Sequence, residues 1–313
     1  MAASPTKFKL NTGAEIPAIG LGTWQDQDEQ EKAVLTALEA GYRHIDTAEI
    51  YGTETAVGRA LKKSGIPRDE IFITSKLWNN KHHPEDVELA LSQSLKNLGV
   101  RYVDLYLMHW PVAFARGDEP FPKDEQGNPK TAKIDYVDTY NAMKKLQKSG
   151  KAKAIGISNF SKVEVERLLA NTSTIPAVHQ LELHPWLQQE EFVKFHTSKG
   201  IHITQYSSLG NQNKIYSSEK VGRMLDDPVL KEVAEETGKN CAQVSLAWGI
   251  SHGRSVLVKS KTPERIWQNL QSDFHLNSGY VKQIDNIDKK QRFNDSSEDF
   301  GYNFFMDLDG KQK

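Results

Sequence analysis

GYRHIDTAEIY, residues 41–51, is the stretch on which the fold turns. Residues 43–46 read as a short strand that stops at a carboxylate, Asp46, with a phenol, Tyr51, shortly beyond it. Two later segments repeat the design. IFITSK (71–76) runs through apolar and β-branched residues to Lys76, and YVDLYLMHW (102–110) carries a strand over 103–109 to His109, followed by Trp110. In a parallel barrel all strands point their C-terminal ends at one face, so residues far apart in sequence meet there. Further strands are expected at 19–22, 154–158, 178–182, 202–206 and 256–259, eight in all, with amphipathic stretches such as 29–40, 84–98, 161–169 and 190–199 between them. This alternation predicts an α/β chain, a (β/α)8 TIM barrel forming one domain over residues 1–313. Pro84 and Pro263 suit first-turn helix positions, where a missing N–H costs nothing. Two short strands at 7–10 and 15–17, joined by Asn11-Thr12-Gly13, are expected as a hairpin plugging the lower end.

The strand-end residues suggest acid chemistry. An ammonium within ~4–6 Å favours the phenolate and can lower a tyrosine pKa by 1–3 units from about 10, whereas desolvation pushes it the other way. Asp46 would hold Lys76 charged and in place, and His109 would hydrogen-bond a substrate oxygen. The set suits protonation of a carbonyl oxygen while hydride reaches carbon, which needs neither metal nor covalent nucleophile. Composition is compatible with an enzyme of small molecules. The 40 basic and 41 acidic residues leave a net charge of −1, which offers no electrostatic case for nucleic acid or an anionic membrane. Hydrophobic residues make up 38%, and no run of ~18 apolar residues occurs. The one cysteine, Cys241, cannot form an internal disulfide and heads an apolar helical stretch, so it is expected to be buried. MAASPTKFKL lacks an apolar signal core, which makes the cytosol the expected location. His82-His83, His184 and His196 have no metal-ligand pattern; surface or capping roles are expected, and no metal. Glu49 reads as a loop or helix-face charge.

The remaining strand ends describe a cofactor site. Ser158-Asn159 and Gln180 offer donors and acceptors to a planar carboxamide, and Tyr206 offers a face on which a nicotinamide ring can stack. Lys259-Ser260-Lys261-Thr262-Pro263-Glu264-Arg265 gathers cations and hydroxyls at a helix N-terminus, an anion site. Gly20-Leu21-Gly22 lacks a third glycine at the spacing a Rossmann fingerprint needs. Long irregular stretches at 111–133 and 210–227 and the aromatic tail Phe300, Tyr302, Phe304 and Phe305 are expected over the active face and around a pocket.

The chain resembles the aldo-keto reductases over almost its whole length: FKLNTGAEIPAIGLGTW (8–24), GYRHIDTAEIY, SKLW (75–78), DLYLMHWP (104–111), GISNF (156–160), HQLELHP (179–185), QYSSLG (205–210) and VKSKTPERIWQN (258–269) stand in the family's order. The ending RFNDSSEDFGYNFF (292–305), with GTWQ and SKLWNN, is most similar to the fungal branch that includes NADP-dependent glycerol dehydrogenases and glyceraldehyde reductases. The resemblance implies a monomeric, reversible, NADPH-dependent reductase of aldehydes and some ketones, with Asp46, Tyr51, Lys76 and His109 catalytic. It also implies a cofactor held by Thr23, Trp24, Ser158, Asn159, Gln180, Tyr206, Ser207, Leu209 and Asn211, with Asn213 and Lys214 beside the last. The 2′-phosphate would lie on Lys259, Ser260, Lys261, Thr262 and Arg265, and the adenine against Gln268 and Asn269. Trp24, Trp78 and Trp110 would line the substrate pocket with Tyr51 and His109. Glyceraldehyde-like hydroxy-aldehydes are the favoured substrates. The alternatives are xylose-type aldoses, keto esters, a Schiff-base role for Lys76 in an aldolase or isomerase, and a nucleotide-binding subunit without turnover. Departures from the family's wording occur at Thr53, His179, Ser208, Val258 and Gln268.

Overall fold

The computed structural model describes residues 5–212 and 221–311. A hairpin of β1 (Lys7–Lys9) and β2 (Glu15–Pro17) precedes eight parallel strands: β3 (Ile19–Gly22), β4 (His44–Asp46), β5 (Phe72–Leu77), β6 (Val103–Met108), β7 (Ala152–Ser158), β8 (Val178–Glu182), β9 (His202–Tyr206) and β10 (Ser255–Val258). Each pairs with the next and β10 pairs with β3, closing a barrel. The helices are α1 (Gln30–Ala40), α2 (Glu54–Ser64), α3 (Val87–Leu98), α4 (Tyr136–Lys148), α5 (Lys162–Asn171), α6 (Glu190–Ser198), α7 (Pro228–Thr237), α8 (Cys241–Ser251), α9 (Pro263–Leu270), α10 (Ser278–Asp285) and α11 (Ser297–Phe300). The expected TIM barrel is therefore present. None of the helices among the described residues is long and apolar enough to cross a membrane.

Register places the site. Side chains alternate across a strand while paired residues share a face. Gly22 pairs with Asp46, Asp46 with Thr74, Lys76 with Leu107, Leu107 with Gly156, and Ser158 with Gln180. Following that parity around the barrel puts Asp46, Lys76, His109, Ser158 and Gln180 on the inner face at the C-terminal end. Leu10 and Ile16 of the hairpin pack on Phe72, Leu105, Ala177 and Val178 near the strand starts, which closes the other end as expected. Between barrel and helices lies the main core, built from residues such as Val34, Leu38, Leu91, Tyr140 and Ile250.

One helix start and one strand end differ from expectation. Pro84 lies in a turn, and α3 begins only at Val87, so this proline does not open the helix; Pro263 does occupy the first turn of α9. Strand β6 stops at Met108, which leaves His109 just beyond its end. Close helix packing fixes the segment that carries Tyr51. Gly58 of α2 abuts α3 so tightly that an added Cβ would lie 2.7 Å from the Leu98 carbonyl oxygen and 2.8 Å from that of Asn97. At an open helical site alanine is preferred over glycine by about 0.8–1 kcal/mol. Here Gly58→Ala should instead destabilise by about 1–3 kcal/mol, because backbone and not a flexible side chain must give way. A urea midpoint at or above that of the parent protein would show that the helices separate freely.

Candidate active site

Asp46 ends β4, and the chain then makes a 3-10 turn over Glu49–Tyr51 that returns the phenol toward the barrel axis. Gln27 Nε2 donates to the Tyr51 carbonyl at 2.9 Å, and Gly52 follows at φ 67, where any Cβ would lie 2.6 Å from that same amide nitrogen. Lys76 is fully buried. Its Nζ donates to Asp46 Oδ1 at 2.6 Å and to the Thr47 carbonyl at 2.9 Å, and lies 3.4 Å from the Tyr51 hydroxyl. His109 Nε2 stands 3.5 Å from the same hydroxyl. Gln180 Nε2 donates to the second Asp46 oxygen at 2.7 Å, so both carboxylate oxygens are engaged. The four side chains expected to converge are together.

Burial and charge compete at these groups. Burial pushes the Tyr51 phenol above its ordinary value, with Asp46 adding to the rise, against the downward pull of the Lys76 ammonium. Burial also works against the charge on Lys76, but Asp46 and Tyr51 outweigh it and raise the ammonium's pKa. Burial, helped by Lys76, depresses His109 well below the ordinary histidine range. The site at neutral pH thus holds a protonated phenol, a charged lysine and a neutral imidazole, an arrangement able to donate one proton from Tyr51.

Next to this cluster the ends of β7, β8 and β9 carry two carboxamides, a hydroxyl and a phenol. Asn159 adopts φ 63, and its Nδ2 donates to the His109 carbonyl at 3.0 Å and to Ser158 Oγ at 3.1 Å. The Tyr206 hydroxyl donates to Asn159 Oδ1 at 2.7 Å, and Ser158 Oγ to the Gln180 carbonyl at 2.9 Å. Ser207, at φ 51, accepts from Asn294 Nδ2 at 3.1 Å. Leu209 packs against the main core. Asn211 donates to the Gly222 carbonyl at 2.7 Å and accepts from the Met224 N–H at 3.1 Å, tying the two ends of its loop. Asn213 and Lys214 lie outside the described residues. Thr23 is buried, its hydroxyl 3.1 Å from the Asp46 carbonyl and 3.2 Å from Thr53, so it faces the barrel wall.

At the start of α9, Thr262 N–H donates to Ser260 Oγ at 3.1 Å. Lys259 and Lys261 both pair with Asp26, at 2.5 and 3.0 Å. Gln268 Nε2 lies 3.3 Å from Glu264 Oε1, and Asn269 is buried on the same helix.

Over the site lies the segment 111–133, closed on itself by bridges between Phe114 and Thr131 and between Lys123 and Pro129. Trp78 Nε1 donates to its Pro120 carbonyl at 2.7 Å, which hangs the loop directly on the residue after β5. Trp78 meets His109 edge-on at 5.2 Å, and Phe121 and Phe300 close around it at 5.3 and 5.8 Å. Trp110 packs on Phe300 and Phe304. Phe304 and Phe305 are buried, so these tail aromatics form a small core behind Trp110 and do not line a pocket. The Tyr302 hydroxyl is bound by Glu164, the residue that also completes the Ser161 cap of α5. Trp24, expected in the pocket, is 41% exposed and makes no ring contact with Trp78 or Trp110 among the described residues.

Several polar residues depart from expectation. His82, His184 and His196 are all buried, not superficial. His179 accepts from the Phe160 N–H at 3.1 Å and meets His196 at 2.7 Å, and His196 reaches the Phe192 carbonyl at 2.6 Å. Glu49 is more than a loop charge: burial, with Glu54 beside it, raises its carboxyl, and Oε2 has no hydrogen-bond partner among the described residues. Cys241 is only partly buried. Sequence reasoning also passed over Glu182. It is fully buried at the end of β8 and takes the N–H groups of Phe293 and Asn294 at 2.8 Å each, with His184 Nε2 at 3.0 Å. The signal was available, since Glu182 ends an apolar strand just as Asp46 does. Asp26 carried no such signal.

Residues 18–289 match the aldo/keto reductase family. An uncharacterised oxidoreductase of Schizosaccharomyces pombe is 44% identical over 298 residues, 94% of this chain and 92% of that protein. Aldo-keto reductase family 1 member A1 of Rattus norvegicus is 44% identical over 291 residues, 91% of this chain and 90% of its own. The structure of the aldose reductase from Schistosoma japonicum superposes with a TM-score of 0.89 at 35% identity, covering 97% of this chain and 99% of that one.

Proposed function

The chain belongs to the aldo/keto reductase family, and we propose that it reduces small neutral aldehydes to alcohols with NADPH, reversibly, with Tyr51 as the proton donor. The carrying observation is the meeting of the Tyr51 hydroxyl with Lys76 Nζ and His109 Nε2, at 3.4 and 3.5 Å, at the mouth of the barrel. The donor set fits the cofactor. Ser158, Asn159 and Gln180 suit a carboxamide, Tyr206 offers a ring, and Lys259, Lys261 and Arg265 suit a phosphate. When bound, the reduced nicotinamide supplies the hydride. His109, held neutral by burial, hydrogen-bonds the carbonyl oxygen without competing as the acid. Tyr51 gives its proton to that oxygen as negative charge develops there, and Lys76 stabilises the phenolate left behind. Asp46 and Gln180 keep Lys76 in register.

A neutral substrate is favoured because the nearby loop cations are already paired, Arg116 with Asp86 at 2.5 Å and Lys81 with Asp118 at 3.7 Å. Trp78, Trp110 and Phe300 make the walls apolar and close, which favours an aldehyde over a ketone with a second bulky substituent. Within this reading glyceraldehyde and related hydroxy-aldehydes stand first, as in the fungal glycerol-side enzymes the tail resembles. NADPH consumption should be followed with glyceraldehyde, dihydroxyacetone, xylose, a β-keto ester and an aromatic aldehyde. Glyceraldehyde is expected to give the highest kcat/KM. A tenfold lead for xylose or the keto ester, about 1.4 kcal/mol of transition-state preference, would move the substrate assignment while leaving the reductase. Quenching of tryptophan fluorescence by NADPH without consumption on any of them would indicate a binding subunit instead.

A further inference from the structure

We propose that Asp26 is an internal occupant of the cation site at the start of α9, and that it sets how far the protein prefers a 2′-phosphorylated cofactor. The inference rests on the reading of that site as the phosphate end of the NADPH pocket. Asp26 lies on the loop after β3, more than 230 residues from the lysines it touches. Its Oδ2 is 2.5 Å from Lys259 Nζ and its Oδ1 3.0 Å from Lys261 Nζ, so one carboxylate spans two ammoniums much as a phosphate would. The local backbone shows that this is the contact the residue is placed for. Asp26 immediately precedes a 3-10 turn over Gln27–Glu29, where an aspartate ordinarily accepts from the turn's first N–H groups. It makes no such side-chain bond. Both Gln25 and Asp26 instead hold left-handed backbones, φ 68 and 52, in a segment that turns its carboxylate onto the lysines. Hydrogen bonds from Lys259 and Lys261 lower that carboxyl's pKa below its ordinary value, against the opposing effect of burial.

The consequence is competition. A cofactor with a 2′-phosphate brings charge to Lys259 and Lys261 that must displace or crowd Asp26, whereas one with a 2′-hydroxyl can bind and leave both ion pairs intact. Preference for NADPH is then the gain of phosphate on the cations less the loss of Asp26 from them. Asp26 lowers the preference below what Lys259, Lys261 and Arg265 alone would give.

Asp26→Asn keeps the shape and tolerates the left-handed backbone while removing the charge. Dissociation constants of NADP+ and NAD+ for the intact protein, read by tryptophan fluorescence and by calorimetry without substrate, supply the test. The variant should bind NADP+ about 3- to 10-fold more tightly, the scale of partly exposed ion pairs, and NAD+ within about twofold of the parent. The gain should shrink as salt is raised. An unchanged NADP+ to NAD+ ratio, or weaker NADP+ binding, would overturn the role given to Asp26. Arg265→Ala, measured alongside, separates the two levels. If it weakens NADP+ more than NAD+ while Asp26→Asn changes nothing, only the competition is wrong. If it weakens both cofactors equally, the phosphate site is misplaced and the proposal falls with it.

Discussion

Tyr51→Phe should lower kcat by about 10²- to 10⁴-fold, the usual contribution of a positioned general acid, with NADPH affinity changed little. The substitution keeps the ring that stands 5.6 Å from His109 and removes only the hydroxyl on which Lys76 and His109 converge. His109 cannot take over at neutral pH, since burial and the neighbouring Lys76 keep its imidazole unprotonated. Single-turnover hydride transfer is the measurement, because product release can mask a chemical step in steady state. Near-parent transfer rates in the phenylalanine variant would remove Tyr51 from the mechanism.

Acid should unfold the protein abruptly. Burial depresses His44, His196 and His202 to about 4 and His82 to about 3, against an ordinary value of 6.5. In the unfolded chain these groups take up protons from about pH 6.5 downward, while in the native protein they stay neutral until near pH 4. The unfolded state therefore binds more protons across that window, and stability falls as pH falls. At 1.36 kcal/mol per unit each group can forfeit roughly 3 kcal/mol, on the order of 10 kcal/mol together, which rivals a typical total of 5–15 kcal/mol. The thermal midpoint should decline steeply from pH 6.5 and the native state should be lost near pH 4. A midpoint that stays level from pH 7 to 4.5 would mean that these imidazoles reach water or a partner before unfolding.

Much of the fold was readable because strand ends announce themselves. Asp46, Lys76 and His109 each close an apolar run, and parity then carries all three to one face. Tyr51 was readable for a different reason: it sits in a turn, and only the order of motifs singled it out. What stayed hidden depends on contacts with no local trace. His196 looks like a surface histidine until α6 packs on β8 and buries it against His179. Phe304 and Phe305 read as aromatics around a pocket; whether they line a cavity or fill one is decided by how the tail docks on Trp110. Pro84 shows the limit of a local rule, since a proline that suits a helix start suits the turn before it equally well.

The buried Glu182 marks a seam at which the chain can be recombined. It grips the backbone at Phe293 and Asn294, and Arg292 adds charge beside it, donating to Gln189 Oε1 at 3.0 Å. The chain at Phe293 and Asn294 is thus tied to the barrel through N–H groups that any residue but proline can supply, whereas the segment after it meets the loop over the site mainly through aromatic faces. A tail from another member of the fold, joined after Asn294, would arrive on an anchored stem and alter which substrates are admitted. Joined a few residues earlier, the same graft would have to rebuild the partners of a buried carboxylate, and the penalty would fall on folding before any selectivity could be measured.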